Sequence, residues 1–467
     1  MKPSRGDAVP FDPVMAERRF GVGLSPGRAA PGSVAAMLDS LAGPDAMARA
    51  WTIPPYERAE PSRATMRARA LAVRDAETEA DRTAAMEARS RMRMAARELY
   101  ARNLAVEMAR SVDTHDGLRE RLARFWADHF TVRALSGGYR HLVSPYIEAA
   151  IRPHVTGRFA DMLRAVVTSP TFLLYFDQLR SYGPNSPRGL KHGRGLNENL
   201  ARELLELHTL GVGGAYTQRD VRQLAELLTG LSSSARRGFH FRPGNAEPGA
   251  ETVLGEAYGG DDPALDDILD AMEGLARHPD TARHLSRKLA VHFIAPDPDP
   301  DMVHAMADRY AATGGDLLAT VEAMLTHPAA WDDPYRKVKR PVDFIASGLR
   351  ALAVPPDRIV GAGRRDVHHL LRVPMRVMGQ AWQAPVGPDG WPEADSEWIT
   401  PQGMAGRISW AMRAPERLLE ALPDPRDFVH HALGPDPSEA VSFAAGAAQT
   451  RTEGVGVVLA SAAFNRS

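Results

Sequence analysis

The chain has 467 residues, with 57 Lys+Arg against 58 Asp+Glu, a formal net charge of −1 and no cysteine. That length holds a sizeable core, as roughly three domain-equivalents or one large helical unit. The missing cysteine excludes disulfides, thiolate nucleophiles, iron–sulfur clusters and Cys-ligated zinc, and a near-neutral charge argues against a general nucleic-acid binder.

Taken in chain order, the apolar spacing is helical nearly throughout. Met1–Asp7 has no apolar core of the kind a signal peptide needs, and no run approaches the roughly 20 apolar residues of a membrane span. Arg63 to Arg110, rich in Ala, Arg, Glu and Met, predicts one long helix or a helical hairpin. Leu118, Leu122, Phe125, Trp126, His129 and Phe130 form the next stripe. Further helices are expected at about 145–152, 158–168, 196–210, 217–230, 264–276, 280–293, 301–311, 316–326, 341–353, 403–412 and 437–448. Only Gly238–Phe241 and Thr252–Leu254 look extended, and they are expected to pair as one hairpin. Ser181–Arg194, rich in Gly and Pro, reads as a surface loop that cannot hold a helix. The fold class is therefore all-α, a large multi-helix array with at most one short β-hairpin.

Two segments resemble each other. Phe125–Phe130 parallels Lys288–Phe293, and Thr156-Gly157 and Thr313-Gly314 each precede a helix ending in a Pro turn. An internal duplication is the expected reason. It divides the chain into an N-terminal extension (1–115) and two helical halves (116–260 and 261–467).

The block Leu196–Gly211, LNENLARELLELHTLG, carries the densest polar pattern. Asn197 is placed as N-cap and Gly211 as the C-terminal cap. Glu198, Arg202 and Glu206 fall on one stripe at four-residue spacing, and Glu203 and His208 lie beside it. This set is the candidate catalytic group, with Glu203 and Glu206 as acid–base or metal-ligating groups and Arg202 orienting them. His129 and His292, on the paired stripes, are candidate metal ligands. Any metal would be a divalent ion with oxygen and nitrogen ligands, since thiolates are missing. The same groups would serve equally as a buried ion-pair network. Trp382, Trp391 and Trp398 lie in a Pro/Gly-rich stretch that could stack on a ligand or anchor a loop. Lys339 and Arg340, in the basic run before Pro341, could bind an anion at a helix start or contact Asp332 and Asp333.

These motifs resemble the bacterial family known as domain of unknown function 1800, whose members read much like NENxARELLELHTLG followed by YTxxDV and a late TG. Here Tyr216-Thr217 and Asp220-Val221, then Thr229-Gly230, match; Gly379-Gln380 and Gly390-Trp391 match later blocks. The resemblance runs from about Phe20 to Asn465 and implies a largely helical fold without supplying a reaction. It also implies an association with a sulfatase-like partner protein and frequent export, so periplasmic and cytoplasmic locations both stay open. Two positions depart from the pattern: Ala246-Glu247 replaces a His-Asp pair, and Glu251 replaces a Lys. The functional expectation is an enzyme or ligand-binding protein with a carboxylate/His site between helices. The alternatives are a non-catalytic scaffold for the sulfatase-like partner and an acidic-polysaccharide-binding protein.

Overall fold

The computed structural model describes residues 11–133, 139–332 and 336–467. Met1–Asp7 and Asp333 lie outside them. Helices dominate, as the periodicity predicts. The Arg63–Arg110 stretch is a helical hairpin: Arg63–Arg74 packs on Glu79–Asp113, a 35-residue helix about 52 Å long. Ser62 and Thr78 open the two helices, each side-chain oxygen accepting a first-turn N–H at 3.2 and 3.1 Å. Residues 79–95 of the long helix are largely exposed, whereas Tyr100, Leu104, Ala105 and Met108 are buried.

Apolar side chains gather in two cores. One combines residues 118–331 with Met15, Phe20, Met37 and Leu41. The other packs residues 344–464 on the buried half of the long helix. Between them runs 336–340, extended against the last residues of the chain: Lys337 and Ser467 exchange backbone hydrogen bonds at 3.3 and 2.9 Å.

Extended structure is limited to two antiparallel hairpins among the described residues, and the expected pairing is corrected here. Gly238–Phe241 pairs with Leu231–Ser234, and Gly249–Val253 with Glu256–Gly260. Each expected strand takes the neighbour a short turn supplies instead of a partner across the Pro-rich segment. The 181–194 stretch also differs from expectation, because it holds the short helix Pro187–His192. Ser186 caps it at 3.0 Å, Pro187 occupies the first position, and Gly193 ends it at φ 59°. Glu247, where the family pattern has Asp, accepts the Asn185 N–H at 2.8 Å and ties this stretch down.

The two Thr-Gly segments meet. Phe159 N–H donates to Gly315 O at 2.8 Å and Leu317 N–H to Gly157 O at 3.0 Å, so two helix starts cap each other about a local two-fold.

A close approach fixes the entry of the helix Gly117–His129. A Cβ on Gly117 would stand 2.8 Å from Gly21 Cα. Gly117→Ala is therefore expected to lower stability by about 2 kcal/mol, read from the urea midpoint at unchanged slope.

Candidate functional site

Where the two cores meet, side chains from both converge on a cavity of about 100 Å³. Three buried clusters wall it.

Arg340 centres the first. It donates to Asp128 Oδ2 at 2.8 Å, pairs with Glu393 Oε1 at 2.7 Å, and reaches the carbonyls of Trp391 and Pro392 at 3.3 and 3.4 Å. Trp391 N–H donates to Asp128 Oδ1 at 3.0 Å. Gly390 permits that approach: at φ 82°, a Cβ there would lie 2.7 Å from the Asp128 carbonyl. His292 donates through Nδ1 to Glu393 at 3.0 Å, and Lys337 Nζ donates to the Glu393 carbonyl at 2.9 Å. Burial would raise the Glu393 pKa, but Arg340, His292 and Lys337 together hold it well below the usual carboxylate range.

Asp343 forms the second wall, with Arg124 at 3.2 Å and Arg121 at 3.7 Å. Burial raises its pKa, the two guanidiniums outweigh that, and the net shift is downward. Beside it, Gln380 Oε1 accepts the Val342 N–H at 2.8 Å, so a side chain caps the start of the helix Pro341–Ala351.

Glu107, Ser144, Trp382 and Gln383 make the third. Ser144 Oγ donates to Glu107 at 2.7 Å, the Trp382 indole donates at 3.0 Å, and Gln383 donates to Ser144 at 2.8 Å. Arg110, one turn along, is committed to Glu148 at 2.6 and 3.0 Å. Burial therefore dominates and pushes the Glu107 carboxyl up to about 7. Five buried atoms of cavity-lining residues find no hydrogen-bond partner among the described residues. Of these, Arg124 Nη2 and Asp343 Oδ1 form the ion pair above, and the other three, Arg124 Nε, His292 Nε2 and Gln383 Oε1, are matched by neither kind of contact.

The residues singled out in the sequence fall into three places. Arg340, His292, Trp382 and Trp391 line this cavity. Trp398 is buried against Trp391, with ring centroids 6.2 Å apart. Lys339 is buried with its ammonium 4.3 Å from the Phe464 ring centre, and Arg340 is internally paired, so neither offers a surface anion site.

The LNENLARELLELHTLG helix lies elsewhere. Arg202 bridges Glu198 and Glu206 at 3.4 Å each, the expected ladder, and about a third of each side chain is exposed. Asn197 Oδ1 accepts the Asn199 N–H at 3.1 Å, from one residue ahead of Glu198, which takes the N-cap position expected for Asn197 in the helix Asn199–Glu203. Glu203 has no arginine partner among the described residues. Burial, then Glu206 and Asp389 of the Trp-rich stretch, raise its pKa.

His208 ends the block in a π-helical turn, Leu204–His208, whose last carbonyls lack intrahelical partners. Histidines from other helices supply them: His129 Nε2 donates to His208 O at 3.1 Å and His284 Nε2 to Leu207 O at 3.0 Å. The His208 ring is itself buried among Phe130, Phe172 and Phe176. His129 thus binds a carbonyl and His292 a carboxylate. Among the described residues no three His, Asp or Glu side chains form a group that could hold a metal ion.

The family model described as Protein of unknown function (DUF1800) matches residues 16–466. The chain belongs to that family. No curated protein and no solved structure shows significant similarity to it. Among the described residues, no helix of this DUF1800 chain is long and apolar enough to cross a membrane.

Glu107, Asp128, Arg124, Asp343 and Gln383 went unmarked in the sequence. Asp128 carried the one usable signal, its place beside His129 in a repeated block. Glu107 sits in a run of Arg, Glu and Met where nothing in the pattern sets it apart.

Proposed function

We propose that this chain is an enzyme acting on a small polar substrate in the cavity between the two cores, with Glu107 as its proton-transferring group. The observation that carries the reading is the half-buried Glu107 carboxyl, pushed up to about 7 and facing a cavity that Arg124 and His292 also line. A carboxyl near neutrality gives and takes a proton at physiological pH. The three unmatched atoms suit a ligand that both donates and accepts hydrogen bonds. At about 100 Å³ the space holds a molecule of a few heavy atoms, since water occupies about 30 Å³ in the liquid. Glu203 and Glu206 stand aside from this cavity and serve helix packing and the contact with the Trp-rich stretch.

Two measurements test it. In ligand-observed NMR against small acids, amides and alcohols, hits should be lost in Glu107→Gln and kept in Glu203→Gln. Hits that depend on Glu203 instead would move the site to the 199–208 helix.

The second is stability against pH. Glu107 is raised when folded, so its stabilising share is complete below about 4.5 and disappears as pH rises through about 7. Glu107→Gln keeps an acceptor for Trp382, while its amide N–H reverses the Ser144 hydrogen bond, donating to the hydroxyl oxygen that donated to the carboxylate. Relative to the parent it should therefore gain about 1.4 kcal/mol per pH unit between those limits. A parallel pair of stability curves would overturn the assignment.

A further inference from the structure

We propose that a second cavity, beside Trp382, binds a small polyanion carrying at least two phosphoryl or carboxylate groups. It has about 410 Å³ of space, the size range of ligand pockets, and goes beyond the Glu107 site. Arg97, Arg140, Arg364 and Arg372 line it, with Tyr100 and Trp382 in its wall, and no lining residue is a carboxylate. Only Arg364 meets an acid, Glu98 at 3.4 Å, in a largely exposed pair. Arg97, Arg140 and Arg372 have no carboxylate within ion-pair distance among the described residues.

The spacing strengthens the case. Arg364, His368 and Arg372 follow one another at four-residue intervals on a continuous helical run, and Arg376 continues it. Of these, Arg372 and Arg376 are a like-charged pair at that spacing, which disfavours a helix. Burial lowers the Arg372 pKa and, after the opposing effect of Tyr100, so do Arg140, Arg376 and Arg364. Tyr100 takes the Arg372 guanidinium over its ring at 5.9 Å and donates its hydroxyl to the Trp382 carbonyl at 3.1 Å. Three guanidiniums line one cavity without a carboxylate partner, and their planar forks match phosphoryl and carboxylate oxygens two at a time. Ala101 and Leu104 give the floor an apolar patch for the ligand's carbon skeleton. The large cavity volume and the spread of cations favour two or more anionic groups over one.

Calorimetric titration of the full-length chain with inorganic pyrophosphate and with citrate tests this. One probe at least should bind with a one-to-one midpoint, more weakly as salt is raised. Arg97 and Arg140 are exposed, so Arg97→Ser with Arg140→Ser should leave the circular dichroism and melting temperature unchanged. Affinity should fall about tenfold or more, while Arg283→Ser, an exposed arginine outside the cavity, should have no effect. Tighter pyrophosphate binding identifies a phosphoryl ligand, and tighter citrate binding a polycarboxylate. No heat from either probe at about 1 mM, or equal affinity in the double variant, overturns the proposal.

Discussion

Acidification from pH 6.5 to 4 should withdraw the stability contributed by three histidines packed around the π turn, a loss that a variant of one of them isolates. Burial, with Lys288 as the next cause, lowers the pKa of His208 to about 3, of His284 to about 4, and of His129 well below its usual value. The sign follows directly. Unfolded, each imidazole takes a proton near 6.5; folded, each stays neutral far below that, so stability present above 6.5 is lost on acidification. At pH 5 His208 and His284 each account for about 2 kcal/mol of the loss, a sizeable part of the whole margin of many domains, and His129 adds to it in the same direction. Glu107 and Glu251, both raised to about 7, oppose this over the same range, so the total curve is not diagnostic. His208→Leu is. Among the described residues neither ring nitrogen has a partner at ordinary hydrogen-bond geometry, only a weak interaction with the His129 backbone, and the ring sits among phenylalanines, so leucine fits its surroundings. Below pH 6.5 the variant should gain on the parent by about 1.4 kcal/mol per pH unit, measured by urea unfolding. A constant difference across that range would show that His208 is protonated in the fold.

Arg340→Met should cost about 3–5 kcal/mol and loosen the Trp-rich stretch around Gly390 and Trp391. Arg340 is buried, and its guanidinium is the shared partner of Asp128 and Glu393 and the donor to two carbonyls of that stretch. Methionine fills much of the volume but leaves two carboxylates facing each other across the cavity wall. Arg340→Lys should recover part of the loss, because an ammonium supplies charge without the fork that reaches both acids. Urea unfolding gives the energies, and limited proteolysis near residue 390 reports the loosening. A melting curve for Arg340→Met that overlies the parent's would mean the ion-pair cluster contributes nothing net.

The helical architecture was legible because its signals are local. Thr217 and Asp220 form a capping box, and Pro341 opens its helix at the first position. The Glu198–Arg202–Glu206 ladder forms as four-residue spacing requires. Where the reading failed, short-range alternatives competed. Ser186, Pro187 and Gly193 punctuate a loop, yet they are also a complete set of start and stop residues for a short helix. The cavity was hidden for a different reason. Glu107 becomes a half-buried acid only when Trp382, 275 residues away, closes over it. Asp128 and Arg340, 212 residues apart, likewise look like ordinary surface charges until the cores meet. Conversely, the LNENLARELLELHTLG block stands out because its ladder and its histidine lie close together along one helix, where local spacing displays them.

The mutual capping of Phe159 and Leu317 bears on the timing of assembly. Gly157 and Gly315 lie ~160 residues apart, yet each supplies the carbonyl that caps the other segment's helix start. At about 5–20 residues per second, a ribosome needs roughly 10–30 s to make the second after the first. Through that interval the earlier helix carries an unmet N–H at its leading end, and the apolar faces awaiting residues 265–331 stay uncovered. The nascent chain therefore has a window in which holding chaperones, or a mispaired neighbour, compete with its own later half.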